Sequence, residues 1–310
     1  MNTLLFGDPS PSLRWRAAVE LEGASADDDD VRAWQGEIAA SPAVRSLLGR
    51  LAAAERPQDA GYLLCQLAYL GYRGPELAAA VDAIFSHQQP DGSWPLRYDD
   101  DPSDGPRFIT MQTVVPLRGV AAAGFATDPR AERAYEWLLR ERLHDGSWPS
   151  GPKADLGSPG KPAPPEKEYR RLTRGDGCRS ATTGAVACLA LHPQRSRSDA
   201  ARVGVDHLLA RETRDESTLG WEVSRLVGLE RAMGQVTFYV TVDPVFLLDL
   251  ASRCADDRRV HALATWLESR RGPYGLWQHP THPQLSRWLT FDLESSLRRL
   301  NGVSPAVDLD

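Results

Sequence analysis

The sequence predicts an all-α, single-domain protein built as a double ring of outer and inner helices, on three observations. A glycine-tryptophan turn recurs along the chain, two kinds of helix alternate about it, and no apolar-polar alternation bounded by turn residues competes with helix. The turns are Gln88-Gln89-Pro90-Asp91-Gly92-Ser93-Trp94, Arg142-Leu143-His144-Asp145-Gly146-Ser147-Trp148 and Arg271-Gly272-Pro273-Tyr274-Gly275-Leu276-Trp277, with a degenerate copy at Leu219-Gly220-Trp221. Their glycines lie 54, 74 and 55 positions apart, about one helix pair each with one insertion.

Residues 1–57 read as a helical lead-in packed on one end of the ring, beginning with the short helix suggested by Asp8 to Arg16. Asp27 to Asp30 complement the dipole of a helix starting near Val31. Residues 58–303 form the ring and 304–310 a tail. Before each turn runs an amphipathic stripe: Leu77, Val81, Ile84 and Phe85; Ala131, Ala134, Trp137 and Leu138; Val260, Leu263, Ala264 and Leu267. Helix entries are marked by Gly74-Pro75, Asp128-Pro129 and Ser198-Asp199. After the turns, Thr110 to Ala123, Ala181 to Leu191 and Pro244 to Ala251 are small or apolar on nearly every face, as helices buried on both sides must be. Such helices make an inner ring whose faces line a central cavity. The insertion at 149–175, rich in Pro, Gly and Lys, reads as a long irregular loop.

With 310 residues, 25% charged, 42% hydrophobic and a formal charge of −6, the chain has ordinary globular composition and no basic footprint for nucleic acid. The opening MNTLLFGDPSPS lacks a secretory pattern and no apolar run is long enough for a bilayer, so a cytoplasmic protein is expected. Cys65, Cys178, Cys188 and Cys254 form no C-x-x-C pair and are expected as reduced thiols.

The Gln-x-x-x-Gly-x-Trp string at 88–94 resembles the QW motif of squalene-hopene and oxidosqualene cyclases, and related turns occur in protein prenyltransferase β subunits. The resemblance implies an (α/α)6 toroid over residues 58 to 300, with the glycine permitting a left-handed turn and the indole covering a helix end. Arg142 and Arg271 stand where the motif has Gln. Asp176-Gly177-Cys178 resembles the Asp-Gly-Cys that binds zinc in the prenyltransferase β subunits, and Arg170 falls where that family has an Arg for the diphosphate. Thr173, Arg179 and Leu289 depart from that pattern, the last replacing the third zinc ligand. Where class II cyclases carry Asp-x-Asp-Asp, this chain has Ser180-Ala181-Thr182-Thr183.

Several groups could carry chemistry. Asp176 and Cys178, completed by His279 or His282 or by Asp292, would suit Zn²⁺ with one open position; alternatively Asp176 caps a helix and Cys178 packs as a small hydrophobe. Arg170, Arg171, Arg174 and Arg179 beside a helix N-terminus make an anion or diphosphate site, or else a solvated basic rim. Asp100-Asp101-x-x-Asp104 has the lettering of an Mg²⁺ motif, but Pro102 and Gly105-Pro106 point to a loop. Asp243 is a natural N-cap, while Asp249, inside an apolar helix, would be an acid of raised pKa or a partner for Arg253. Phe108, Phe238, Tyr239, Phe246, Trp288 and Phe291 would line the cavity and offer π faces to a cation.

The resemblance implies an enzyme of the prenyltransferase or terpene-cyclase type, with a hydrophobic isoprenoid-like substrate in the cavity and its polar or diphosphate end near residues 170–179. The alternatives are a non-catalytic toroid that binds a lipid or protein partner, and a metal-dependent cyclase for a peptide or polyketide.

Overall fold

The computed structural model describes residues 3–94, 110–149, 177–229, 243–255 and 257–302. The expected irregular loop at 149–175 lies almost wholly outside these residues, as do Phe108, Arg170, Arg171, Arg174, Asp176, Phe238, Tyr239 and the 100–104 aspartates. Among the described residues all regular structure is helical. The elements are α1 (Thr3–Phe6), α2 (Pro11–Arg16) continued by a wider turn at Ala17–Leu21, α3 (Asp29–Ala40), α4 (Pro42–Ala52), α5 (Pro57–Tyr69) and α6 (Glu76–Ser86). Then come α7 (Thr110–Val120), α8 (Pro129–Arg140), α9 (Arg179–Ala190), α10 (Asp199–Leu209), α11 (Trp221–Leu226), α12 (Pro244–Cys254), α13 (Arg258–Glu268) and α14 (Ser286–Leu300).

The two expected kinds of helix are both present. In α6, α8 and α13 the buried apolar residues are confined to a stripe that holds the residues expected of it, whereas α7 and α9 are buried along almost their whole length. Buried helices pack on one another in order: α5 on α7, α7 on α9, α9 on α12, and α12 on α14. The circle closes at α14, which meets the wide turn after α2. It meets α5 as well, where Trp288 stacks on Tyr69 at 5.4 Å. Arg16 of α2 lies over both the Tyr69 and Phe291 rings, at 4.5 and 4.3 Å. The segment expected to pack on one end therefore contributes α2 to the inner circle itself.

Three corners join outer to inner helices in one geometry. Gly92, Gly146 and Gly275 take positive φ, where a side chain would be strained. In each corner the tryptophan, essentially fully buried, donates its indole N–H to the carbonyl ten residues earlier in the outer helix. Trp94 reaches Ile84 at 2.9 Å, Trp148 reaches Leu138 at 2.7 Å and Trp277 reaches Leu267 at 2.6 Å. Its backbone N–H donates in turn to a threonine hydroxyl in the next inner helix: Thr113 at 3.1 Å, Thr182 at 3.0 Å and Thr290 at 2.9 Å. One residue thus adds a donor to a carbonyl at the helix end, one that at Ile84 and Leu267 also accepts from the backbone N–H of His87 and Arg270, and sets the following helix against it. The expected fourth copy differs: Gly220 has positive φ, but it is the N-cap of α11, so Trp221 starts a helix instead of closing a corner.

The α5–α7 contact is backbone on backbone. A Cβ on Gly61 would sit 2.6 Å from the Pro116 Cα, and one on Gly119 would sit 2.2 Å from the Gly61 carbonyl oxygen. Pro116 lies inside α7 and has no N–H for the carbonyl of Gln112; Gln58 of α5 supplies a donor at 3.2 Å. Gly61→Ala is expected to cost on the order of 3 kcal/mol through forced separation of these backbones. Gly36→Ala, where an added methyl meets nothing, should instead stabilise by about 0.5–1 kcal/mol. Urea unfolding of the two variants checks both signs.

Candidate functional site

The interior of the circle is charged. Arg118, the one cation in the last turn of α7, is buried and pairs with Glu222 of α11, which also binds Arg225 at 2.8 Å. Burial opposes ionisation of Glu222, but the two guanidinium groups prevail and hold its carboxyl below the usual range. The helix carrying Glu222 is anchored from several sides. Gln66 and Tyr62 of α5 donate to the Arg225 carbonyl at 2.9 and 3.3 Å. Asp243, the N-cap of α12 as expected, accepts from the backbone N–H groups of Val245 at 2.9 Å and Glu222 at 3.1 Å. Its complete burial pushes its carboxyl up to about 7 despite those donors.

His279 completes the anchorage of α11 and is not free to bind metal as drawn from the sequence. Its Nδ1 accepts from the backbone N–H of His282 at 3.1 Å and of Thr281 at 3.3 Å, which leaves the Nε2 side to donate to the Gly220 carbonyl at 3.1 Å, with Ser224 Oγ at 2.8 Å. The His282 ring lies 5.3 Å from that of His279. Cys178 is the N-cap residue of α9, half-buried; its backbone N–H donates to the Trp148 carbonyl at 2.7 Å. Among the described residues no three His, Cys, Asp or Glu side chains form a group able to hold a metal ion. Both ring nitrogens of His279 are thus engaged by the chain itself, and Asp176 of the expected zinc set lies outside the described residues.

Beside Cys178, Arg179 is half-buried, and two of its guanidinium nitrogens, Nε and Nη2, have no hydrogen-bond partner. Burial, with Arg211 nearby, depresses its pKa. The other three arginines expected around it lie outside the described residues.

The second halves of the inner helices hold a further cluster, of which sequence reasoning saw only Asp249, Arg253 and Asp292. Asp249 of α12 pairs with Arg253 at 3.1 Å and with Arg299 of α14. The expectation of a raised pKa is wrong for Asp249: burial acts in that direction, but Arg253 and Arg299 outweigh it and bring the carboxyl down to about 2. Asp292 goes the other way. Burial, reinforced by the neighbouring Asp249 charge, raises its carboxyl to about 7. Tyr69 donates to it at 2.9 Å and Arg16 stands 3.7 Å away. Arg16 also grips Glu20 through two bonds, at 2.8 and 3.0 Å. These groups lie deep in the molecule, yet the side chains of Glu20, Asp249, Arg253, Arg299 and Asp292 keep 19–33% of their surface open, against 6% for Glu222. Their side chains stay partly exposed, whereas the Arg118 group is sealed.

Of the expected aromatics, Phe246 lies 4.9 Å beneath Arg118, Phe291 beneath Arg16, and Trp288 against Tyr69. The chain's own guanidinium groups cover π faces that were expected to await a substrate cation. The signal that could have located the site was Arg118 itself, a cation inside a helix otherwise apolar all round.

No protein-family model matches the chain, and no curated protein matches it. Similar solved structures include the type II terpene cyclase MstE from Scytonema in its apo form, 14% identical over 78% of this chain and 88% of that one, with a TM-score of 0.30. A variant of that cyclase in complex with geranylgeranyl dihydroxybenzoate, its substrate, is 14% identical over 78% and 87%, with a TM-score of 0.28. A protein from Actinoplanes is 16% identical over 78% and 89%, with a TM-score of 0.30. Overlap this slight carries no weight for chemistry.

The opposed shifts give opposed pH responses. Asp292, raised when folded, favours the folded chain below the ordinary carboxylate pKa of about 4 and loses that contribution as pH rises through about 7. Asp249, depressed when folded, contributes above about 4 and loses its contribution as pH falls through about 2. Unfolding free energies measured across pH should therefore fall less steeply between about 4 and 7 in Asp292→Asn, and less steeply below about 4 in Asp249→Asn. Glu222→Ala, which strands two buried cations, should cost about 3–5 kcal/mol by the same measurement.

Proposed function

We propose that the protein is an enzyme of the prenyltransferase or terpene-cyclase type that takes an isoprenoid-like substrate into the helical toroid, and that it acts there by proton transfer, as protonation-initiated terpene cyclases do. One observation carries the reading: Asp292, on an inner helix with 19% of its side chain exposed, holds its proton up to about 7 and has Tyr69 and Arg16 beside it. A carboxyl kept neutral by burial can give up that proton to a substrate. The Tyr69 O–H and the Arg16 guanidinium then stabilise the carboxylate left behind, which can take a proton back from the product. At the other mouth, the unpartnered nitrogens of Arg179 support an anionic or diphosphate end near residues 170–179. Phe246 and Phe291 are given no part in stabilising a cation, because arginines already cover them.

The alternative of a non-catalytic toroid that holds a lipid or protein is favoured by the sealed Arg118–Glu222–Arg225 group, which fills part of the interior with charge. Incubation with farnesyl and geranylgeranyl diphosphate separates the two. The enzyme reading expects a thermal shift and product from the wild type, with turnover reduced at least about a hundredfold in Asp292→Asn, the usual scale of a lost general acid. A thermal shift without product supports the binding alternative; neither shift nor product sinks the isoprenoid reading altogether.

A further inference from the structure

Two carboxyls compete for one guanidinium. Arg16, the last residue of α2, lies over the Tyr69 and Phe291 rings at 4.5 and 4.3 Å. From there its Nε and Nη2 donate to the two oxygens of Glu20, at 2.8 and 3.0 Å. The remaining nitrogen, Nη1, is buried, makes no hydrogen bond, and stands 3.7 Å from Oδ1 of Asp292. That gap is about 1 Å longer than a charge-assisted bond between such atoms. The other Asp292 oxygen, Oδ2, accepts from the Tyr69 hydroxyl at 2.9 Å. Oδ1 is therefore the oxygen left to carry the proton, with an unused donor across from it. Glu20 holds the stronger claim on Arg16 for a local reason. It follows four residues later, in the wide turn at Ala17–Leu21, and keeps a third of its side chain exposed against 19% for Asp292. Burial opposes its ionisation, but Arg16 prevails and holds its carboxyl below the usual range. Asp292 faces, besides Arg16, Glu20 and Tyr69, the negative charge of Asp249 on α12, which is itself paired with Arg253 and Arg299.

We propose that Glu20 is a positioning residue for Asp292: its two-bond grip holds Arg16 off the Asp292 carboxyl while that carboxyl keeps its proton, and leaves Nη1 to close the gap once the proton has gone. The proton leaves Oδ1 for the substrate and the negative charge stays on the carboxylate. Nη1 then supplies a charge-assisted bond from a nitrogen that neither bond to Glu20 uses. That Asp292 serves as an acid rests on the function proposed above, whereas the contest for Arg16 stands without it.

The test follows the Asp292 carboxyl across pH by NMR of the full chain carrying isotope-labelled aspartate, its resonance being the one missing from Asp292→Asn. Glu20→Gln frees Arg16 to pair with Asp292, and the titration midpoint is expected to fall by about one pH unit or more. Glu20→Asp keeps the charge but cannot reach as far, and it should lower the midpoint too; a charge acting only at a distance would leave it in place. In an Arg16→Met background, with no guanidinium to release, Glu20→Gln should move the midpoint little. A midpoint unmoved in Glu20→Asp, or moved equally by Glu20→Gln with and without Arg16, overturns the proposal. The comparison with and without Arg16 decides the matter even if Glu20→Asp folds poorly. Where geranylgeranyl diphosphate is turned over, the alkaline limb of the turnover profile should move to lower pH together with the midpoint. A midpoint lowered in both Glu20 variants, without turnover by any form, removes the acid role and leaves the contest for Arg16 standing. Turnover lost in Asp292→Asn, with the midpoint unmoved in Glu20→Asp, does the reverse.

Discussion

A buried indole has one N–H, and in a helical interior nearly every carbonyl is already taken; the last turn of a helix is where a carbonyl has room for a further donor. Trp94, Trp148 and Trp277 meet that constraint identically, each reaching back ten residues into the helix it has just left. Because the same residue's backbone is held by Thr113, Thr182 or Thr290, the angle between an outer helix and its inner successor is fixed by two bonds from one side chain and one peptide. The circle of inner helices follows from repeating that angle. What lies inside the circle follows from what those inner helices then face.

Among an apolar core they also face charge. Arg16, Arg118, Arg225, Arg253 and Arg299 all point into the structure, and each is matched by a carboxylate on another turn or another element. A buried ion pair adds little to stability beyond what apolar packing would give, but it penalises every arrangement in which one member is alone. Arg118 and Glu222 in this way tie α11 to α7, as Asp243 and His279 tie the same short helix to α12 and to the loop after the third corner. Breaking any one of these contacts leaves a buried charge or polar group alone, whereas the side chains around Asp292 are partly exposed.

Periodicity made the helices readable. The stripe Val260, Leu263, Ala264 and Leu267 and the all-round apolarity of Ala181 to Leu191 are local signals, and both helices stand where those signals put them. The N-caps Asp128, Ser198 and Asp243 were legible for the same reason. What could not be read was partnership across the circle. Asp249 has Arg253 one turn on, a partner the sequence offered, but the approach of Arg299 and the burial that dominates Asp292 are tertiary; one carboxyl is brought down to about 2 and the other raised to about 7. Gly220 was misread for a related reason: its conformation matches the corners, but the outer-helix carbonyl that makes a corner is a tertiary feature. The basic mouth at 170–176 and the aromatics Phe108 and Tyr239 fall outside the described residues and keep the standing of expectations.

The clasp between the two ends of the chain bears on how such a protein comes into being. Arg298 bonds the Leu21 carbonyl, and Arg287 reaches Asp8 across 279 positions of sequence. During synthesis α2 is made long before its neighbour α14, with Leu13 and Trp15 destined for burial. Contacts of such separation are expensive in loop-closure entropy and form late. The apolar side chains of α2 therefore stay without their final cover until α14 has been made, so the seam between the two is a late step in folding.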